Sequence, residues 1–262
     1  IMKKIITFCL AVVLLGMQVL PVSALSQSES KQAWYSARQA RFSADSQYRQ
    51  AKVKYASDKS KENEQELIKQ AKKTLNAVLD EAEAWLNWKN EEAKADIEAP
   101  SDIKENIEID VNNNLAKIEN LKKDVDGIDN MLGVGVVFLK MVGSYAELLT
   151  DVARNTGLVW VHAGGERIKS INEFEVELRK VAKELDDNTD IIKKLDIAKS
   201  ESKTAQDKVN TAKSAYEKVK LPGMPLIKFA EGNNYLRQAR VNLLNAHAQL
   251  EHVYNLILIK VE

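Results

Sequence analysis

The sequence predicts an all-α protein: an elongated bundle of about six or seven long antiparallel helices, in which two similar helical hairpins flank a central apolar helix or hairpin. Three observations predict it. The 262 residues include only 10 Gly and 4 Pro, too few turn formers for a sheet protein, while the residues that lose least on entering a helix (Ala, Lys, Glu, Leu) are prominent. Apolar residues recur at alternating spacings of three and four, the period of helices packed in coiled-coil fashion. One such pattern also returns near the C-terminus with its Ala positions and its last Tyr in register. A composition 45% hydrophobic and 29% charged is that of a folded chain.

Residues 1–24 form a separate object. Lys3 and Lys4 make a basic start, Ile5 to Gly16 an apolar stretch and Val22-Ser23-Ala24 a small-residue cleavage site, the pattern of a secretory signal peptide. A secreted or cell-surface location follows as an expectation. The sole cysteine, Cys9, lies inside that leader, so residues 25–262 are expected to have no disulfide, thiol nucleophile or thiolate metal site. They are expected to form a single elongated domain held by its core alone. Cleavage after Ala24 removes two lysines and no acid, leaving 36 basic against 38 acidic residues. Nucleic acid is therefore not an expected partner, since phosphate binding needs a basic surplus on one face.

The first hairpin is expected over 27–98. Trp34, Ala37, Arg41, Ala44, Tyr48, Ala51 and Tyr55 form one seam, and Ile68, Ala71, Leu75, Val78, Ala82 and Trp85 the other, separated by a polar turn at Ser57–Glu64. Ala99-Pro100 ends it, because a residue preceding proline leaves the helical region, and Ser101 or Asp102 is placed to cap the next helix. Central helices are expected over 102–187, one along Ile103, Ile107, Val111, Leu115, Ile118, Leu121 and Val125, another along Ile168, Ile171, Phe174, Leu178, Val181 and Leu185. A cap at Thr189 or Asp190 then opens the second hairpin, 190–260. Its seams are Leu195, Ala198, Ser202, Ala205, Val209, Ala212, Tyr216 and Leu236, Ala239, Leu243, Ala246, Leu250, Val253, with Leu221-Pro222-Gly223-Met224-Pro225 between. The first of these lies 161 positions after its counterpart and the second 168, a difference of one heptad. Two related hairpins follow, by duplication or by a shared packing solution.

The region 131–163 departs from this plan. Met131 to Ala146 contains a single charge, Lys140, and Gly157 to Ala163 is a second apolar run. Neither reaches the ~18–20 residues of a membrane span, so a helix buried inside the bundle is the first expectation, its glycines admitting close neighbours. The β-branched and aromatic residues among those glycines also permit a short apolar hairpin. Val134, Val136, Val137, Phe138, Leu139 and Trp160 are the residues that would contact a membrane or partner if the region were exposed.

The sequence contains no G-x-S-x-G elbow, phosphate loop, H-E-x-x-H or calcium-loop spacing. His247 and Glu251 share a helix face at i,i+4, while His252 points elsewhere; they make half a metal site. No Glu stands three residues before a His, as a di-metal bundle requires. Trp34 and Trp85 are seam residues, so core packing is preferred to an aromatic cage. No catalytic residue, cofactor or enzymatic activity is expected. The reading is a non-catalytic helical bundle acting by binding or assembly, with a protein partner or through self-association, and its alternative is a membrane-active, pore-forming-like protein that inserts 131–163.

Overall fold

Six α-helices and no strand make up the described residues, 23–95 and 99–261 of a computed structural model. They are α1 (Ser23–Ser57), α2 (Lys61–Ala95), α3 (Ser101–Asp126), α4 (Met131–Ala182), α5 (Thr189–Tyr216) and α6 (Pro225–Val261). The protein is an all-α bundle, as the heptad spacing predicts. The expected leader lies outside the described residues apart from Ser23 and Ala24. The chain divides into two compact units, Ile1–Ile97 and Glu98–Glu262.

In the first unit α1 and α2 form an antiparallel hairpin. The Thr74 hydroxyl donates to the Ala44 carbonyl at 3.1 Å, Lys73 Nζ donates to Gln47 Oε1 at 2.8 Å, and Arg41 pairs with Glu81. The turn closes where the polar run predicts: Asn63 Nδ2 donates to the Asp58 carbonyl and carboxylate at 3.0 and 2.9 Å, and Ser60 Oγ accepts from Asn63 N at 3.4 Å. On α1 the seam residues Ala44 and Ala51 are buried. On α2 the buried stripe is Leu67, Ala71, Leu75, Leu79, Ala82, Leu86 and Asn90, which corrects the expected register at Ile68, Val78 and Trp85. Each of those has a leucine beside it, and it is the leucine that is buried.

In the second unit α5 and α6 form another hairpin, and every expected seam residue of α5 from Leu195 to Tyr216 is buried. Its α6 partners Ala239, Ala246, Leu250 and Val253 are buried, as is Ile257, so the apolar tail continues the core. Leu178, Ala182, Ile191, Leu195, Ala198, Ala246 and Leu250 make one cluster; Val161, Ile168, Ala205, Val209, Ala212, Tyr216 and Ala239 make the next.

Three expectations are corrected here. The central apolar region and the helix expected from Ile168 are one continuous 52-residue helix, α4, about 78 Å long at 1.5 Å per residue. Glu147–Asn155 between the apolar runs is amphipathic rather than turn-forming, so nothing interrupts the backbone ladder. Phe174 is on the surface and Glu175 is buried in its place, because Arg179 Nε donates to Glu175 Oε1 at 2.5 Å and reaches Asp196 of α5 at 2.8 Å. On α3 it is Asn114, not Leu115, that is buried. The expected caps also move: α3 starts after Pro100 and α5 after Asn188, in both cases without a side-chain cap. Asn130, by contrast, caps α4 by accepting from Gly133 N at 2.8 Å.

Candidate functional site

The two halves of α4 have different neighbours. Among the described residues its first half pairs with α3, through buried Val137, Met141 and Leu148 on one side and Ile107, Val111, Ile118, Leu121 and Val125 on the other. Two surface ion pairs edge this contact, Lys140 Nζ to Asp124 Oδ2 at 2.8 Å and Lys117 Nζ to Glu147 Oε2 at 2.6 Å. A polar network closes it. Arg154 Nη2 lies 2.5 Å from Asp110 Oδ2 and 3.0 Å from Asp151 Oδ1, Asn155 Nδ2 donates to Asp110 Oδ2 at 3.0 Å, and Asn114 Nδ2 donates to Asp151 Oδ2 at 3.0 Å. Burying Asn114 and Asn155 is tolerated because their amides are hydrogen-bonded, and this explains the correction on α3.

At 100° per residue, a stripe Leu132, Val136, Leu139, Gly143, Ala146, Thr150, Ala153, Gly157, Val161, Gly164, Ile168 runs along the helix at spacings of three and four. From Thr150 onward it faces the core, with Thr150, Gly157, Val161 and Ile168 buried. From Leu132 to Ala146 it is uncovered: Leu132 is 78% and Leu139 70% exposed. Phe138, Val142, Tyr145 and Leu149 widen the exposed strip. The face opposite α3 is thus apolar without a charge.

Glycines behave differently along the stripe. A Cβ at Gly157 would stand 2.2 Å from the Tyr216 ring, one at Gly164 3.3 Å from Val209 Cγ2, and one at Gly232 of α6 2.6 Å from the Tyr216 ring. Tyr216 is therefore wedged between two bare backbones, its hydroxyl donating to Asn233 Oδ1 at 2.6 Å. Burial pushes its phenol up to about 12. At Gly135 and Gly143 nothing lies within 4 Å of the same position.

The expected contact residues are accordingly divided. Val136, Phe138 and Leu139 lie on the uncovered face, and Val134 is half-buried at its margin. Val137 is corrected: at 6% exposure it belongs to the α3 contact, because it points away from Leu139. Trp160 is exposed beside Phe229, ring centroids 6.2 Å apart, but stands 21 residues from Leu139, about 32 Å along the helix. Also corrected is the buried central helix, since only 17% of the apolar 18-residue stretch is buried. Although each apolar run is short, the continuous helix is long and apolar enough to cross a membrane by length and composition. Leu132, Val142, Tyr145 and Leu149 were missed; the signal was the place of Leu132 in the stripe that continues into the core, and of the other three beside it.

Elsewhere the pattern carries less. His247 and Glu251 are both exposed on α6, and no group of three or more His, Cys, Asp or Glu placed to hold a metal occurs among the described residues. In the first unit Trp34 stacks on Trp88 at 5.0 Å, with Lys89 Nζ 4.2 Å from the Trp88 ring centroid; the half-buried pair closes one end of the hairpin. No protein-family description, curated protein or solved structure matches this chain.

Proposed function

We propose that this protein is an exported, non-catalytic helical bundle that acts by binding or assembly, with the uncovered face of α4 as its working surface. The observation that carries the reading is the apolar stripe Leu132–Leu149, charge-free and solvent-facing opposite α3. A contiguous exposed apolar patch costs solubility and marks an interaction surface. Export rests on the leader-like residues 1–24. The two hairpins, with equivalent alanines Ala44 and Ala205, Ala51 and Ala212 all buried, support a common packing plan in which the hairpins are scaffold.

The test is association of the chain with envelope fractions and with itself, compared with Leu139→Asp. Because Leu139 is 70% exposed, the variant keeps its helical circular dichroism and loses binding about tenfold or more, the scale of losing a central apolar contact. Equal association of both proteins in every assay would overturn the reading.

A second reading, insertion of 131–163 into a membrane, is favoured by the length and apolar character of α4. Dye release from phospholipid vesicles by the wild-type chain but not by Leu139→Asp is its expected result. Absence of leakage at any pH removes it.

A further inference from the structure

The two halves of one stripe differ in what covers them, and the covered half indicates what suits the other. Between Thr150 and Ile168 the stripe receives the helices α5 and α6, with Gly157 and Gly164 admitting the Tyr216 ring and the Val209 side chain. Between Leu132 and Ala146 the three-and-four spacing continues with Leu, Val, Gly and Ala, yet nothing approaches Gly143 on the stripe or Gly135 beside it. Glycine inside a helix costs about 0.5–1 kcal/mol relative to alanine. A lipid surface gains nothing from a missing side chain, whereas a packed helix gains close approach.

Charge decides which helix. The face itself carries none, so pairing it with a copy of itself opposes no like charges. One edge carries Lys140 and Glu147, seven residues apart, each half-exposed and each ion-paired on its inner side to α3, through Asp124 and Lys117. In an antiparallel pair of copies with a two-fold axis midway between them, beside Gly143 and Ser144, each Lys140 faces the other copy's Glu147. A parallel two-fold pair would instead lay this edge beside the other copy's apolar edge, leaving Lys140 and Glu147 opposite Phe138, Tyr145 and Leu149 with no charge to complement them. In the antiparallel pair the other edge, Phe138, Tyr145 and Leu149, meets its own apolar copy.

Resting on the binding-or-assembly reading, we propose that a second copy of this chain covers the α4 face, the two α4 helices packing antiparallel and crossing at Gly143, with Lys140 and Glu147 complementary across the two-fold axis. The strip is about 27 Å long and about 10 Å wide, less than the ~800 Å² per partner of a standard interface, so the dimer is reversible and concentration-dependent. The symmetry is that of the commonest soluble oligomers, with one patch serving both sides.

The experiment uses the full chain carrying Cys9→Ser, with Gly143→Cys or Leu132→Cys added, alongside sedimentation of the wild-type chain across a concentration series. Expected are a monomer–dimer equilibrium that Leu139→Asp shifts at least about tenfold toward monomer, and an oxidative cross-link for Gly143→Cys. The two Leu132 sites lie about 33 Å apart in this arrangement, beyond the ~7 Å a disulfide spans, so Leu132→Cys stays uncross-linked. Cross-linking of both variants alike would overturn the antiparallel pairing. A chain monomeric at every concentration, with Gly143→Cys uncross-linked, would overturn the dimer. If Leu139→Asp then still abolished binding to envelope fractions or vesicles, the surface reading would stand without the dimer; if it changed nothing anywhere, both would fall.

Discussion

Gly157 and Gly143 occupy equivalent places on one helical stripe, yet one lies beneath an aromatic ring and the other faces open solvent. The comparison teaches that packing in this protein is a property of the neighbour as much as of the residue. Where α5 and α6 are present, small residues on α4 become close contacts and the stripe becomes core. Where only α3 is present, on the opposite side, the same residue types become surface.

The sharpest way to break the comparison is to substitute the same residue at both places. Gly157→Ala puts a methyl where the Tyr216 ring already is, and neither the helix nor a fully buried ring has room to yield. Overpacking of this kind destabilises by about 3 kcal/mol, read as a lower denaturant midpoint. Gly143→Ala meets nothing and removes the entropic cost of glycine, so the monomer should gain about 0.5–1 kcal/mol. Equal effects at the two sites would show that Tyr216 does not constrain Gly157.

The smallest effect sharpens the wedge itself. Because burial raises the Tyr216 phenol from 10.0 to about 12, the folded state holds its proton more tightly than the unfolded chain does. The resulting stability is fully present below pH 10 and is lost as pH rises through about 12. Chemical denaturation at intervals across that window should show the decline, and Tyr216→Phe should flatten it while leaving Asn233 without its donor.

The sequence made the α5 seam legible to the residue, since Leu195 to Tyr216 are spaced apolar or small positions with polar neighbours, and one face alone was eligible. Seams became ambiguous where apolar residues are adjacent, as at Leu67-Ile68, Val78-Leu79 and Trp85-Leu86, because periodicity cannot choose between neighbours one residue apart. Asn114 and Glu175 were illegible for another reason: a polar residue enters a seam when partners satisfy it, here Asp151 of another helix for Asn114 and, for Glu175, Arg179 one turn on, itself held by Asp196 of α5. The candidate surface was half legible. Its residues stood out as apolar, but whether an apolar stripe is core or surface depends on a covering helix, which the stripe's own sequence does not contain. The continuity of α4 was likewise hidden, since two short apolar runs joined by an amphipathic segment read as separate elements.

The Tyr216 wedge has a mechanical consequence. By filling the gap between Gly157 and Gly232 it fixes the rotation of α4 about its own axis at one point, and the helix transmits that setting rigidly along its backbone ladder. Roughly 36 Å separates Gly157 from Gly133 along the axis, so the ring acts as a fulcrum for an arm whose exposed apolar end lies several turns away. The direction in which Leu139 and Gly143 face is thus aimed from the core, by an aromatic ring that touches neither of them.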